Sequence, residues 1–208
     1  TDIRQRGVSP RMDKQLDRRA KRTREALQSA LIRIIRRKGY EAATILEIAE
    51  EADYNRGTFY NHYAGKEELL EEIRLDFLQQ FADLILGPYP GMSGVGAADI
   101  YPSSLLLFQH VEQNKETFLA LLAVDRGLGE DMNRVLKDAM KRDLELSVEE
   151  QDPEVDREFM YSYLASATIG VVMYWAGTGF KFSSDYMARQ LLLQINNRLD
   201  YIEFKRTQ

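Results

Sequence analysis

The sequence predicts an all-α fold of about nine helices: a small N-terminal three-helix unit followed by a larger helical body. Three observations predict it. Apolar residues return every three or four positions through almost the whole chain. No segment sustains the alternation of a strand. The breaks between periodic stretches carry the glycines, prolines and capping residues that stop and start helices. With 208 residues, 44% apolar and 29% charged, the chain is long enough to bury a sizeable core and too apolar for wholesale disorder.

The first helix is expected over 18–38, where Leu27, Ala30, Leu31, Ile34 and Ile35 form one apolar stripe. Gly39 follows its last turn, and Arg36, Arg37 and Lys38 complement the negative end of its dipole. Thr44-Ile45-Leu46-Glu47 reads as a capping box that opens a short second helix, with Ile48, Ala49 and Ala52 facing inward. Asp53-Tyr54 makes a tight turn, Asp53 being a residue that tolerates the left-handed conformation. Asn55 then caps a third helix over 56–62. A longer helix over 66–86 carries Leu69, Leu70, Ile73, Phe77, Leu78, Phe81 and Ile85 on its inner side. Residues 87–102 hold four glycines and three prolines and read as a long loop, either a mobile segment or a functional lid. Helical spacing resumes over 103–113, 115–126 and 130–146. Asp152-Pro153, an N-cap followed by proline, opens a long apolar helix over 154–175 that Gly177 and Gly179 end. Ser183 or Ser184 opens the last helix, with Met187, Leu191, Ile195, Leu199 and Ile202 on one stripe.

Charge divides the chain. Residues 1–65 hold 14 basic and 9 acidic side chains, whereas 66–208 hold 14 basic and 24 acidic, within a net charge of −5. A basic first third on an acidic body suggests a polyanion-binding end attached to something else. The expected organisation is a basic flexible arm over 1–17, a three-helix unit over 18–65 and a larger helical domain over 66–208. The arm, from Arg4 to Arg24, reads either as a follower of the DNA backbone or minor groove or as a solvated tail. Cysteine is absent and only His62 and His110 are available, so thiolate chemistry and a histidine-rich metal site are not expected. His110 lies in a polar stretch and is expected at the surface. No apolar run approaches the ~20 residues of a membrane span, and 1–24 is basic and polar, so a cytoplasmic location without a leader is expected. There is no Gly-rich phosphate loop, no Gly-x-Ser-x-Gly and no histidine paired with spaced acids. Neither a catalytic residue nor a cofactor is expected.

Two short helices joined by a tight turn and packed on a longer one make the helix-turn-helix pattern of a DNA reader. Here the residues become specific. Thr44-Ile45-x-x-Ile48-Ala49-x-x-Ala52, then Arg56-Gly57-Thr58-Phe59-Tyr60-x-His62-Tyr63-x-x-Lys66-Glu67-x-Leu69, resembles the TetR family of bacterial transcriptional regulators over roughly residues 20–70. Asp53 and Asn55 stand where the family commonly has Gly and Ser; both are competent for turn and cap. The resemblance implies that 56–62 enters the major groove. Arg56 would contact guanine and Asn61 another base edge, Gly57 would allow close approach, and Asn55 would cap the helix. Thr44, Thr58, Tyr60, His62 and Lys66 would bind phosphates, together with amides at the start of the second helix.

One such unit has too little surface to specify an operator, so two copies on successive major grooves are expected. Val172-Met173-Tyr174-Trp175, Gly179 and Tyr186 to Leu191 resemble the C-terminal region of TetR-type regulators of Gram-positive bacteria. That likeness implies homodimerisation through the last two helices. Ala165, Ala167 and Gly170 would allow close helix approach, and Met187, Leu191, Ile195 and Leu199 would supply the apolar stripe. Phe108, Phe118, Tyr163 and Trp175, with Phe159 and Tyr174 beside them, would line a pocket for a small apolar or aromatic effector. Simple core packing is the other reading of the same spacing. The expected function is a homodimeric repressor of a palindromic DNA operator, released by that effector. The rival is a TetR-like adaptor that acts through protein contacts without an operator; intact Gly57, Thr58, Tyr60 and Lys66 argue against it.

Overall fold

The computed structural model describes residues 10–84, 100–144 and 156–196. Among these, all regular structure is helical: α1 (Pro10–Lys38), α2 (Ile45–Glu51), α3 (Arg56–Tyr60), α4 (Lys66–Ala82), α5 (Tyr101–Gln113), α6 (Lys115–Val124), α7 (Leu128–Asp143), α8 (Arg157–Gly177) and α9 (Ser184–Asn196). The chain falls into two compact units, Thr1–Leu75 and Asp76–Gln208.

In the first unit Leu27, Ala30, Leu31, Ile34 and Ile35 of α1 are buried together with Ile48 and Ala49 of α2 and Phe59 of α3. The helix periodicity of α1 therefore becomes the floor on which the two short helices rest. Asp53 takes the left-handed conformation, φ +61°, and turns the chain between them. The border between units lies inside α4, ten residues beyond the boundary expected at 65/66. Glu72 of α4 explains this, because it accepts from Gln28 at 2.9 Å and from the Tyr63 hydroxyl at 3.0 Å.

In the second unit α5 packs on α9 and α7 on α8, with smaller contacts between α8 and α9 and between α5 and α6. Phe108, Val111, Phe118, Leu121, Leu136 and Trp175 are buried in its interior. Gly179 (φ +72°) and Phe180 (φ +60°) make the reversal from α8 to α9. A left-handed Phe is costly, and it is held by a hydrogen bond from its amide to the Trp175 carbonyl at 3.0 Å and a ring contact on Trp175 with centroids 4.8 Å apart.

Several boundaries differ from expectation. Residues 10–17, assigned to the flexible arm, are the first turns of α1; proline is accepted in a first turn and nothing between Pro10 and Arg18 breaks a helix. Helix α3 stops at Tyr60 instead of 62, because the His62 amide turns back to the Phe59 carbonyl at 2.9 Å, three residues earlier, in place of the Thr58 carbonyl. Tyr101 and Pro102, counted with the preceding loop, open α5. Helix α8 is capped by Asp156, whose side chain accepts from the Glu158 and Phe159 amides. Asp152 and Pro153 lie outside the described residues, as do Ile85, Leu86, residues 87–99, Leu199 and Ile202.

His110, expected at the surface, is buried at 9% exposure. It continues the inward face of α5, one turn beyond Leu107, and its ring lies 5.2 Å from Phe77 and 6.4 Å from Phe81. Nδ1 takes the Asn114 amide at 3.2 Å, which leaves the proton on Nε2, and Nε2 is buried without a hydrogen-bond partner. Burial holds this imidazole below the ordinary histidine range, an effect that the proximity of the Phe77 backbone only partly offsets. The folded chain thus binds its proton less readily than the unfolded chain. Stability is complete above the unfolded value of 6.5 and falls as pH drops below it. Acidification from pH 7 to 5.5 is expected to lower Tm. His110→Leu, which removes the orphan donor, is expected to flatten that slope by up to about 1.4 kcal/mol per pH unit. Calorimetry of both proteins across this range checks it; identical slopes would remove His110 as the cause.

Candidate nucleic-acid interface

The turn between α2 and α3 and the short length of α3 leave one face of α3 free. Phe59 is its inward anchor, fully buried, with its ring 5.7 Å from Tyr63. Arg56, Gly57, Tyr60 and Asn61 are exposed on the other side, and Thr58 and His62 are half-buried. The Arg56 guanidinium donates from Nη2 to the Tyr60 hydroxyl at 3.0 Å and lies 5.3 Å from its ring centroid. One turn of helix separates the two, so arginine and phenol are presented as a pair.

Asn55 caps α3. Its Oδ1 accepts from the Thr58 amide at 2.8 Å and the Thr58 hydroxyl at 3.2 Å. A Cβ on Gly57 would stand 3.2 Å from that same Oδ1. The glycine therefore makes room for the cap, a role the sequence motif does not express. Thr44 caps α2. Its hydroxyl takes the Glu47 amide at 3.3 Å, and its own amide donates to the Glu47 carboxylate at 3.1 Å. The Lys38 ammonium, 2.5 Å from Glu47, and then the Thr44 hydroxyl hold that carboxyl down at about 2, so the box stays ionised at neutral pH.

The basic run at the end of α1 is partly committed inside the unit. Arg33 and Arg37 both bind Glu51, at 2.8 and 3.2 Å. Lys66, expected on a phosphate, is half-buried. Its ammonium donates to the carbonyls of Tyr40 at 3.1 Å, Ala43 at 3.1 Å and Glu41 at 3.5 Å, and lies 4.4 Å from the Tyr40 ring centroid. All three of its protons have acceptors within the fold.

The second unit redistributes the residues expected for a pocket and for a dimer. Phe108 and Trp175 meet edge to face, with ring centroids 5.6 Å apart, and Phe118 stacks on Phe77 at 5.7 Å; all three are fully buried core. Tyr163 does not join them. It is 58% exposed, as are Phe159 at 69% and Tyr174 at 60%. Their positions explain it, since 159, 163, 166, 170, 173, 174 and 177 follow one exposed face of α8, edged by α7, whose Asn133 amide donates to the Ser166 hydroxyl at 2.9 Å. Conversely Ala165 of α8 is buried within the chain, and Met187 and Leu191 are buried because α9 packs on α5. Gly170 is exposed with open space around it, and Ile195 is half-buried. Leu199 lies outside the described residues. The sequence does carry a signal for the exposed stripe: α8 is apolar on more faces than one chain can cover.

Among the described residues no group of three or more His, Asp or Glu is placed to hold a metal ion, and no helix is long and apolar enough to cross a membrane.

Comparison with known proteins agrees with this geometry. Residues 27–73 match the family of bacterial regulatory proteins named after TetR, and residues 99–197 match a transcriptional regulator C-terminal region; together the two cover more than two thirds of the chain. The chain is 50% identical over 60 residues to the HTH-type transcriptional regulator YxbF of Bacillus subtilis, a match covering 28% of this chain and 16% of that protein. It is 34% identical over 83 residues to the HTH-type transcriptional repressor KstR2 of Mycolicibacterium smegmatis, covering 36% of this chain and 40% of that protein. Both matches thus span well under two thirds of the relative's own length. The crystal structure of PfmR from Thermus thermophilus is similar in fold, with a TM-score of 0.61 at 19% identity, covering 85% of this chain and 96% of that one.

Proposed function

Because the chain belongs to the TetR family of bacterial transcriptional regulators, we propose that it is a homodimeric repressor that reads a palindromic operator through α3 and leaves it on binding a small effector. The observation that carries this reading is the presentation of α3: Phe59 fixed in the core, and Arg56, Tyr60 and Asn61 outward on a helix capped by Asn55. A helix held by one buried aromatic can enter a major groove without losing its seat on the core. Arg56 offers a planar fork for guanine O6 and N7, and Asn61 offers an amide for another base edge. Thr44, Thr58, Tyr60 and His62 border this face and serve phosphates, while Gly57 keeps its centre low.

KstR2 is a transcriptional repressor by name, and repression is carried over to this chain as part of the proposal. The dimer contact is assigned to the exposed stripe of α8, Phe159, Tyr163, Gly170 and Tyr174, instead of the buried stripe of α9. Large exposed aromatics around a bare glycine suit a two-fold helix contact. For release, the effector must favour the DNA-incompetent state by about 5.5 kcal/mol to reverse occupancy fully. The buried Nε2–H of His110, within an aromatic cluster and lacking an acceptor, is suited to a carbonyl or carboxylate on an otherwise apolar ligand.

Selection of bound duplexes from a random pool tests the reading. The expected product is an inverted repeat with half-sites centred about 34–36 Å apart or a multiple of that. Arg56→Ala is expected to cost about 1–3 kcal/mol and to relax one base position in each half-site. A pool that shows no enrichment at low salt would overturn the proposal.

A further inference from the structure

Lys66 is the first residue of α4, where the helix dipole disfavours a cation. Its placement is intelligible only if something nearby accepts its charge, and three backbone carbonyls do. Those carbonyls, from Tyr40, Glu41 and Ala43, belong to the segment joining α1 to α2. The segment is otherwise held by the buried Ala43, by the amide of the left-handed Gly39 (φ +85°) on the Ile35 carbonyl at 2.9 Å and by the Ala43 amide on the Tyr40 carbonyl at 3.0 Å; the carbonyl of Ala43 has only Lys66 as a side-chain donor. Its last carbonyl anchor, Ala43, directly precedes Thr44, whose hydroxyl and amide close the capping box with Glu47. A compact ammonium with three protons can converge on such a nest, and its charge also lies over the Tyr40 ring. A planar guanidinium cannot converge in the same way.

We infer that Lys66 is a positioning residue: its ammonium clamps the α1–α2 segment from the start of α4 and thereby sets the placement of Thr44 at the edge of the DNA-reading face. This rests on the DNA-binding reading for its consequence, though the clamp itself is a property of the free protein. A change in the first turn of α4 is thus felt at Thr44 through a single side chain.

The test has an arm without DNA and an arm with it. In the free full-length protein, Lys66→Met and Lys66→Arg are both expected to speed hydrogen exchange at the Ala43 and Glu47 amides about tenfold or more, with the Phe59 and Tyr63 amides unchanged. If Lys66→Met unfolds the first unit, Lys66→Arg, which keeps a cation at this position, decides this arm alone. On the duplex selected by the native protein, Lys66→Met is expected to weaken binding equally at every salt concentration, so the salt slope stays the same. Its effect is expected to be non-additive with Thr44→Ala. The inference is overturned if exchange at Ala43 and Glu47 does not change. It is equally overturned if Lys66→Met lowers the salt slope by about 0.9 and Lys66→Arg restores it, the signature of a phosphate contact. A native protein that binds no duplex defeats the DNA reading and leaves the exchange arm to decide the clamp.

Discussion

Tyr163→Asp is expected to convert the protein to a monomer and to lower its affinity for the selected operator by at least about 100-fold, while leaving the helical content of each chain native and lowering Tm only by the lost contribution of association. The asymmetry between the two readouts follows from where Tyr163 lies. It is 58% exposed on α8, so its loss removes little from the core of its own chain. In the proposed two-fold contact the same residue is introduced twice near the axis, and each copy buries a carboxylate with no cation opposite. The flanking residues on that face are Phe159, Ser166, Gly170 and Tyr174, none of which is basic. Losing the second reader removes the linkage between half-sites, an advantage of about 100-fold or more. Sedimentation analysis and an operator titration on one preparation check it. A variant that remains dimeric and binds as the native protein does would remove the α8 stripe from the interface.

Trp175→Ala is expected to cost about 3–5 kcal/mol. Trp175 is fully buried, and three separate features depend on it. Its indole Nε1 donates to the Phe182 carbonyl at 2.9 Å, so truncation leaves that acceptor without this donor. Its ring packs against Phe108 of α5 and against Phe180 in the α8–α9 reversal. Phe180 holds a left-handed backbone, and without the indole it loses the ring contact and keeps only its amide on the residue-175 carbonyl. Trp175→Phe should retain part of the packing and lose the hydrogen bond, giving an intermediate effect. Urea denaturation followed by far-ultraviolet dichroism checks both variants: a lowered midpoint at unchanged slope is the expected result. Trp175 is also the single tryptophan of the chain, so native unfolding can be followed by its fluorescence. A Trp175→Ala midpoint equal to the native one would show that the indole is dispensable to the core.

The first unit was legible because its elements are specified locally. The capping box of Thr44 and Glu47 needs only three residues of separation, and Asp53 needs only its own side chain to favour the turn. The periodicity of Leu27, Leu31 and Ile34 needs one helix. Phe59 and Arg56 could be sorted to opposite sides of α3 for the same reason. The role of Lys66 was not legible, because the carbonyls it binds lie 23 to 26 residues earlier in the chain and backbone carbonyls leave no mark on a sequence.

In the second unit, helical periodicity identified apolar faces without saying which neighbour each would meet. Met187 and Leu191 read the same whether they face α5 or a second copy; packing of α9 on α5 decided it. Tyr163 and Trp175 lie on the same apolar helix, twelve residues apart, yet one is exposed and the other fully buried. His110 reads as polar beside Glu112, Gln113 and Asn114, yet α4 covers it with Phe77 and Phe81. The sequence by itself thus determined the helices, the turn and the helix-turn-helix family pattern, because caps, turns and periodicity are local interactions along one chain. Only the tertiary structure decided which aromatic is core and which is surface, and whether a lysine is free or clamped. Those outcomes depend on desolvation by residues distant in sequence, and that desolvation exists only once the helices have packed.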